Sequence, residues 1–385
     1  MSTLRRSAAI TLAAPLVLLA ACAGDEPSGA AGDGSTQGSN EPIAVTASDD
    51  ACDVSVDEAS AGTIAFTITN TGTKVNEFYL YAEGDRIMGE VENIGPGLTR
   101  EFLVEVSEGG AYETACKPGM VGDGIRNAFT VTGSAGAVKD ADERLLEATV
   151  SYQRYVNSQA DALLERTQEF VDLVKAGDVE AAKSLFPIAR TYWERIEPVA
   201  ESFGDLDPRI DGREEVIEEG MEFTGFHRIE RDLWQDGIQP DTSAMADRLM
   251  ADVTEIVELA KEVELNPLQL ANGSKALLDE VAVGKITGEE DRYSHTDLWD
   301  FRANVDGSQA AIASLRPVLE DRDPDLVATL DERFAALDAL LETHRDGDGF
   351  RLYTELTTAE VRALSDSLDA VSAPVSQVAG VVAAG

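Results

Sequence analysis

The sequence predicts a multidomain β plus all-α protein, a small β-sandwich followed by a helical domain. Three observations predict it. Residues 42–133 alternate apolar and polar positions in short runs, separated by Gly, Asn, Asp and Pro. After about residue 138 the apolar positions recur at helical spacing, from ADERLLEATVSYQRYV onward. With 385 residues, 43% of them hydrophobic, the chain is long enough for more than one core.

The first residues, MSTLRRSAAITLAAPLVLLAACAGDEP, place Arg5 and Arg6 ahead of an apolar run too short to span a bilayer. Residues 1–21 therefore read as a signal peptide. Leu19-Ala20-Ala21-Cys22 resembles the bacterial lipobox, in which the chain is cut before a lipidated cysteine, so Cys22 is the expected anchor point. Residues 22–41 are Gly, Ser, Ala and acidic residues that cannot bury a core, and are expected to form a flexible tether. The expected location is exported, held on the membrane by lipid and facing the periplasm or outer cell surface.

In the sandwich the expected strands are IAVTA, TIAFTITNTG, NEFYLYA, REFLVEV, AYETAC and NAFTVTG, with GEVENIGPG as a turn. Cys52 and Cys116 are the two cysteines left once Cys22 is set aside. An exported pair reads as a disulfide; the competing reading leaves Cys116 as a free metal-binding thiolate.

Residues 139–385 hold about eight expected helices, near 140–176, 178–203, 213–236, 242–263, 266–286, 295–317, 324–345 and 357–380. A faint internal echo runs through them. Arg195-Ile196-Glu197-Pro198-Val199-Ala200-Glu201 with Asp207-Pro208 is matched by Ser314-Leu315-Arg316-Pro317-Val318-Leu319-Glu320 with Asp323-Pro324, suggesting two related helix bundles. Glu197 aligns with Arg316. A buried arginine there would repel a cation, which leaves the first copy as the cation-binding one.

A formal net charge of −41 excludes a nucleic-acid partner, since phosphates would be repelled. The acidity either concentrates cations or serves solubility. Only three histidines occur. In GFHRIERDLW, residues 225–234, His227 and Glu230 lie three apart and project from one helix face, as a metal site or as a plain surface pair. Glu197 and Glu201 share a face four apart, as ligands or as a solvated stripe. His295, after the loop GEEDRYS, is either a ligand or a helix-end residue packed on Trp299. His344, in THRDGDG, reads as structural at a helix end, and Glu165 with Glu169 forms a reserve acidic pair.

Gly225-Phe226-His227-Arg228-Ile229-Glu230 matches a GxHxxE motif, and with the IEPVAE run and the phrase from Tyr293 to Trp299 the chain resembles the imelysin-like family, in particular its EfeO-type lipoproteins of bacterial iron uptake. The resemblance implies a cupredoxin-like β-sandwich ahead of an imelysin-like helical domain. It implies that His227 and Glu230 bind a metal, with carboxylates from neighbouring helices, for which Glu197, Glu201 and His295 are the candidates. It implies iron, ferrous or ferric, with copper and zinc as alternatives. The implied partners are a membrane iron permease and a haem-containing dye-decolourising-type peroxidase. In the sandwich the cupredoxin copper ligands are not matched: Glu77 stands where histidine is expected and no histidine occurs at all, which leaves Glu77, Glu113, Cys116 and Met120, with Glu90 and Glu92 nearby, as a weaker metal set. Imelysin relatives are also catalogued with peptidases, so a zinc metallopeptidase is the alternative to a non-enzymatic carrier. Arg231 after Glu230 breaks the inverted zinc motif H-x-x-E-H. Because a coordinating imidazole must be neutral, binding is expected to weaken as pH falls to about 6 and below.

Overall fold

A computed structural model describes residues 42–134, 142–204, 206–214 and 221–384. The signal peptide, Cys22 and the tether lie outside the described residues.

Among the described residues, nine strands form the sandwich. They are β1 (Ile43–Ala47), β2 (Cys52–Val54), β3 (Glu58–Ser60), β4 (Gly62–Asn70), β5 (Asn76–Tyr81), β6 (Ile87–Ile94), β7 (Thr99–Val106), β8 (Glu108–Cys116) and β9 (Ile125–Ser134). One sheet runs β2-β1-β4-β7 and the other β3-β9-β8-β5-β6. Alternation along β4 buries Ile64, Phe66 and Ile68, and they meet Phe78, Leu80, Phe102 and Phe129 from the facing strands. All six residues of β5 are buried because both its faces are covered: Phe78 and Leu80 point into the core, while Tyr79 and Tyr81 stack at 5.3 Å beneath the Lys117 and Arg126 side chains. The expected turn at GEVENIGPG is instead β6, a strand whose eight residues are only partly covered except for Ile94, so it lacks the period-2 burial signal. Short β2 and β3 were too brief to show a pattern.

Cys52 and Cys116 are bonded to each other, joining β2 of one sheet to β8 of the other. That removes the Cys116 thiolate as a ligand.

The helical part comprises α1 (Glu143–Ala176), α2 (Val179–Glu194), α3 (Glu197–Ala200), a 3₁₀ turn (Glu201–Phe203), α4 (Leu206–Asp211), α5 (Gly225–Arg231), a π turn (Asp232–Asp236), α6 (Thr242–Glu262), α7 (Pro267–Val283), a 3₁₀ turn (Lys285–Thr287), α8 (Asp297–Arg322), α9 (Pro324–Glu342), α10 (Thr358–Val375) and α11 (Val378–Ala383). Asp142 caps the start of α1, and Gly177, at φ 72°, ends it in the left-handed conformation. The segment expected as one helix over 178–203 breaks after Glu194, and α8 runs past Pro317 to Arg322. The two echoing sequences thus adopt different local structures. Arg316 is not buried: it lies half-exposed, paired with Asp331 and with Glu320 at 3.3 Å. Among the described residues no helix is long and apolar enough to cross a membrane. The sandwich seats on α7 through β6 and β7, where the Asn272 amide donates to the Leu103 carbonyl at 2.7 Å.

The disulfide closes a loop with a sequence separation of 64. Replacing both cysteines by alanine is expected to cost about 2–4 kcal/mol of sandwich stability. Denaturant melts of oxidised protein and the double variant measure it; coincident curves would contradict the expectation.

Candidate metal centre

The GFHRIE segment folds as α5 because its glycine permits a close approach. Gly225 has φ +81°, and a Cβ there would stand 2.1 Å from the Ile210 carbonyl oxygen. The hydroxyl of Thr224 donates to the Arg209 carbonyl at 2.8 Å. These two contacts press the start of α5 onto the end of α4, which brings Asp211 beside His227.

His227 is buried, with a carboxylate on each edge of its ring. Nδ1 lies 3.0 Å from Oε2 of Glu230 and 4.0 Å from Oδ1 of Asp291. Nε2 lies 3.6 Å from Oδ1 of Asp211 and 3.5 Å from Oε1 of Glu290, and makes no hydrogen bond. Two ligand groups result, Asp211–His227–Glu290 and His227–Glu230–Asp291, with the ligand atoms of each within 4.8 Å of one another. Glu230 is already engaged. Its Oε1 accepts the backbone N–H groups of Tyr293 at 2.9 Å and Ser294 at 2.7 Å, so the YSH phrase acts through its backbone.

Arg190 of α2 fills the centre of the cluster without exposure to solvent. Its guanidinium pairs with Asp211, with Glu194 at 2.5 Å, with Glu290 at 3.4 Å, with Asp291 at 3.4 Å and with Asp300 at 3.5 Å. Buried Lys285 adds a second cation. Burial lifts Glu194 to about 7 against the pull of Lys285 and Arg190, and lifts Asp297 to about 8, with Asp291 adding to the rise. For His227, burial and Arg190 push its pKa down, but the Glu230 hydrogen bond and the neighbouring Glu290 and Asp211 carboxylates outweigh them and raise it to about 10. Glu290 is raised by burial yet ends well below its ordinary value, because Lys285, His227 and Arg213 surround it.

The imelysin family model matches residues 148–378, and a cupredoxin-like domain model matches residues 11–131. The iron uptake system component EfeO of Escherichia coli is 37% identical over 346 residues, spanning 88% of this chain and 91% of that protein. The EfeO of Shigella flexneri aligns at the same identity and extent. The chain belongs to the EfeO group of the imelysin family. Among solved structures, reduced auracyanin from Roseiflexus castenholzii aligns with 24% of this chain and 97% of its own, at 18% identity and a TM-score of 0.21.

Within this imelysin domain, the structure brings His227 and Glu230 together but not the other expected ligands. Glu197 is buried 3.5 Å from the Lys285 ammonium and accepts from Asn304 at 3.1 Å, beside the cluster and outside both ligand groups. The Glu201 side chain lies outside the described residues. His295 has φ 61°, its carbonyl accepts from Tyr353 N–H at 2.8 Å, and it belongs to neither ligand group. His344, expected to be structural, is buried with Nδ1 2.7 Å from the Arg351 guanidinium, and belongs to neither ligand group. In the cupredoxin-like part, Glu77 is buried and accepts from Tyr79 at 2.9 Å, whereas Glu113 pairs with Arg126 at 3.0 Å and Cys116 is in the disulfide. Met120 has φ 61°, and among the described residues no group of three histidine, cysteine or carboxylate ligands forms in the sandwich. Sequence reasoning passed over Asp211, Glu290 and Asp291. The last two sit inside the quoted loop GEEDRYS, where adjacent acids ahead of a turn were the available signal.

Gly225→Ala is expected to force α5 away from α4, since backbone atoms rather than a flexible side chain meet the new Cβ. The variant should lose at least about 2 kcal/mol of stability. A thermal melt within about 2 °C of the parent would contradict this.

Proposed function

We propose that this chain is an extracytoplasmic iron-binding protein, anchored through a lipid on Cys22, that captures iron and hands it to a membrane permease alongside a haem-containing peroxidase. Its EfeO relatives are named as iron uptake system components. The observation that carries the reading is the unpartnered Nε2 of buried His227, set between Asp211 and Glu290. One imidazole nitrogen with two carboxylates suits iron and similar transition ions. In this reading Glu230 holds the ring through Nδ1 rather than joining the ligands, as outer carboxylates do for metal-bound histidines. The three donors on Glu230 favour this role.

The zinc peptidase reading has less support. Arg231 stands where the inverted zinc motif has its second histidine, and it pairs with Glu214 at 2.5 Å. Glu230, which would be the general base, is filled by two backbone amides and His227.

Anaerobic titration of the purified protein with ferrous iron is expected to give one tight equivalent and no peptide hydrolysis. His227→Ala should weaken it by more than tenfold, upwards of about 1.4 kcal/mol, with His344→Ala at parental affinity and both folded by circular dichroism. In the metal-free protein His227 keeps its proton up to about pH 10, so binding must expel it. Affinity should therefore rise with pH by up to about tenfold per unit between about pH 5.5 and about 7.5, and the loss on acidification should begin well above the ordinary imidazole range. Parental affinity in folded His227→Ala, or a pH-independent constant, would overturn the assignment.

A further inference from the structure

Lys285 occupies a cage of carboxylates that adjoins the His227 centre. The residue opens the 3₁₀ turn after α7 and is 1% exposed. Its Nζ lies 3.3 Å from Glu194 Oε2, 3.5 Å from Glu197 Oε1, 3.5 Å from Glu280 Oε2 and 3.9 Å from Glu290 Oε1. That last atom is shared. The same Oε1 of Glu290 lies 3.5 Å from His227 Nε2 and 3.4 Å from Arg190 Nη2. The sharing is built into the backbone: Gly284, just before Lys285, has no Cβ, and one placed there would stand 2.9 Å from the other carboxylate oxygen of Glu290.

We propose that Lys285 is a built-in competing cation that limits the affinity of the His227 centre, holding Glu290 Oε1 against an incoming metal ion and repelling that ion, so that captured iron remains releasable. The proposal rests on the reading of His227, Asp211 and Glu290 as the metal site. Two physical effects act in one direction. A metal ion must take the Glu290 oxygen from an ammonium that already neutralises it, and it must then sit close to a second positive charge in a region with little water to screen the repulsion. Arg190 lies nearer the same oxygen, but its guanidinium is shared among five carboxylates and ties α2 to α4 and α8, which leaves Lys285 as the cation that can be changed without undoing the cluster. Lys285 sits at the margin, against Glu280, whose side chain is 24% exposed. Glu194 and Glu197 keep a donor without it, since the Asn304 amide lies 3.1 Å from each carboxylate.

The test is titration of the full chain with ferrous iron, together with the rate at which a chelator strips the bound iron, in the parent, Lys285→Met, Lys285→Gln and Lys285→Arg. Both neutral variants are expected to bind at least about tenfold more tightly and to release iron correspondingly more slowly, while Lys285→Arg stays within about threefold of the parent. A merely structural lysine would give weaker binding on removal. If either neutral variant, folded by circular dichroism, binds with parental or lower affinity, or if Lys285→Arg binds as tightly as Lys285→Met, the proposal falls. If the parent itself binds no iron, the metal-site reading fails instead, and the two failures are distinct.

Discussion

A guanidinium buried among carboxylates is the constraint on which the helical domain depends. Water cannot relieve Arg190, so Asp211, Glu194, Glu290, Asp291 and Asp300 must come to it. These acids arrive from α2, from the end of α4, from the segment between Thr287 and Asp297, and from α8. Neutralising one cation thereby gathers four stretches of chain distant in sequence. The same gathering sets out the two edges of His227. Charge balance and ligand placement overlap: Asp211 and Glu290, two of the five acids that offset Arg190, are also those of the proposed metal site.

That arrangement carries protons as well as charges. Burial raises Glu194 and Asp297 into the neutral range, whereas Glu290 is held ionised by Lys285, His227 and Arg213. The result is a centre in which Glu290 is charged while nearby Glu194 and Asp297 can take up or give off protons as the local charge changes. The proposed transport role asks for such a centre. Capture needs affinity, delivery needs release, and the proposed competition from Lys285 serves the second.

The fold was legible because two periods differ so plainly, alternation in TIAFTITN and helical spacing from residue 143 on. What escaped was whatever burial did not pattern: β6, half-covered along its length, and the break after Glu194, where the chain turns toward the cluster. At the site, His227 and Glu230 were readable because three residues on a helix fix a shared face. Asp211 and Glu290 were not, since 16 and 63 positions separate them from His227 and only tertiary packing joins them. His295 drew notice as a rare histidine, yet its neighbourhood works through the Tyr293 and Ser294 amides and the acids around it. In the sandwich, the absence of histidine leaves the copper set of the cupredoxin kind unmatched, and the disulfide takes Cys116 out of the remaining set.

The most direct measurement is an anomalous difference map at the iron absorption edge from crystals of the protein soaked in ferrous iron. The account predicts a peak within coordination distance of Nε2 of His227, shared with Asp211 and Glu290, with Nδ1 still hydrogen-bonded to Glu230. A peak on the Nδ1 edge between Glu230 and Asp291, or iron bound only elsewhere in the molecule, would contradict it.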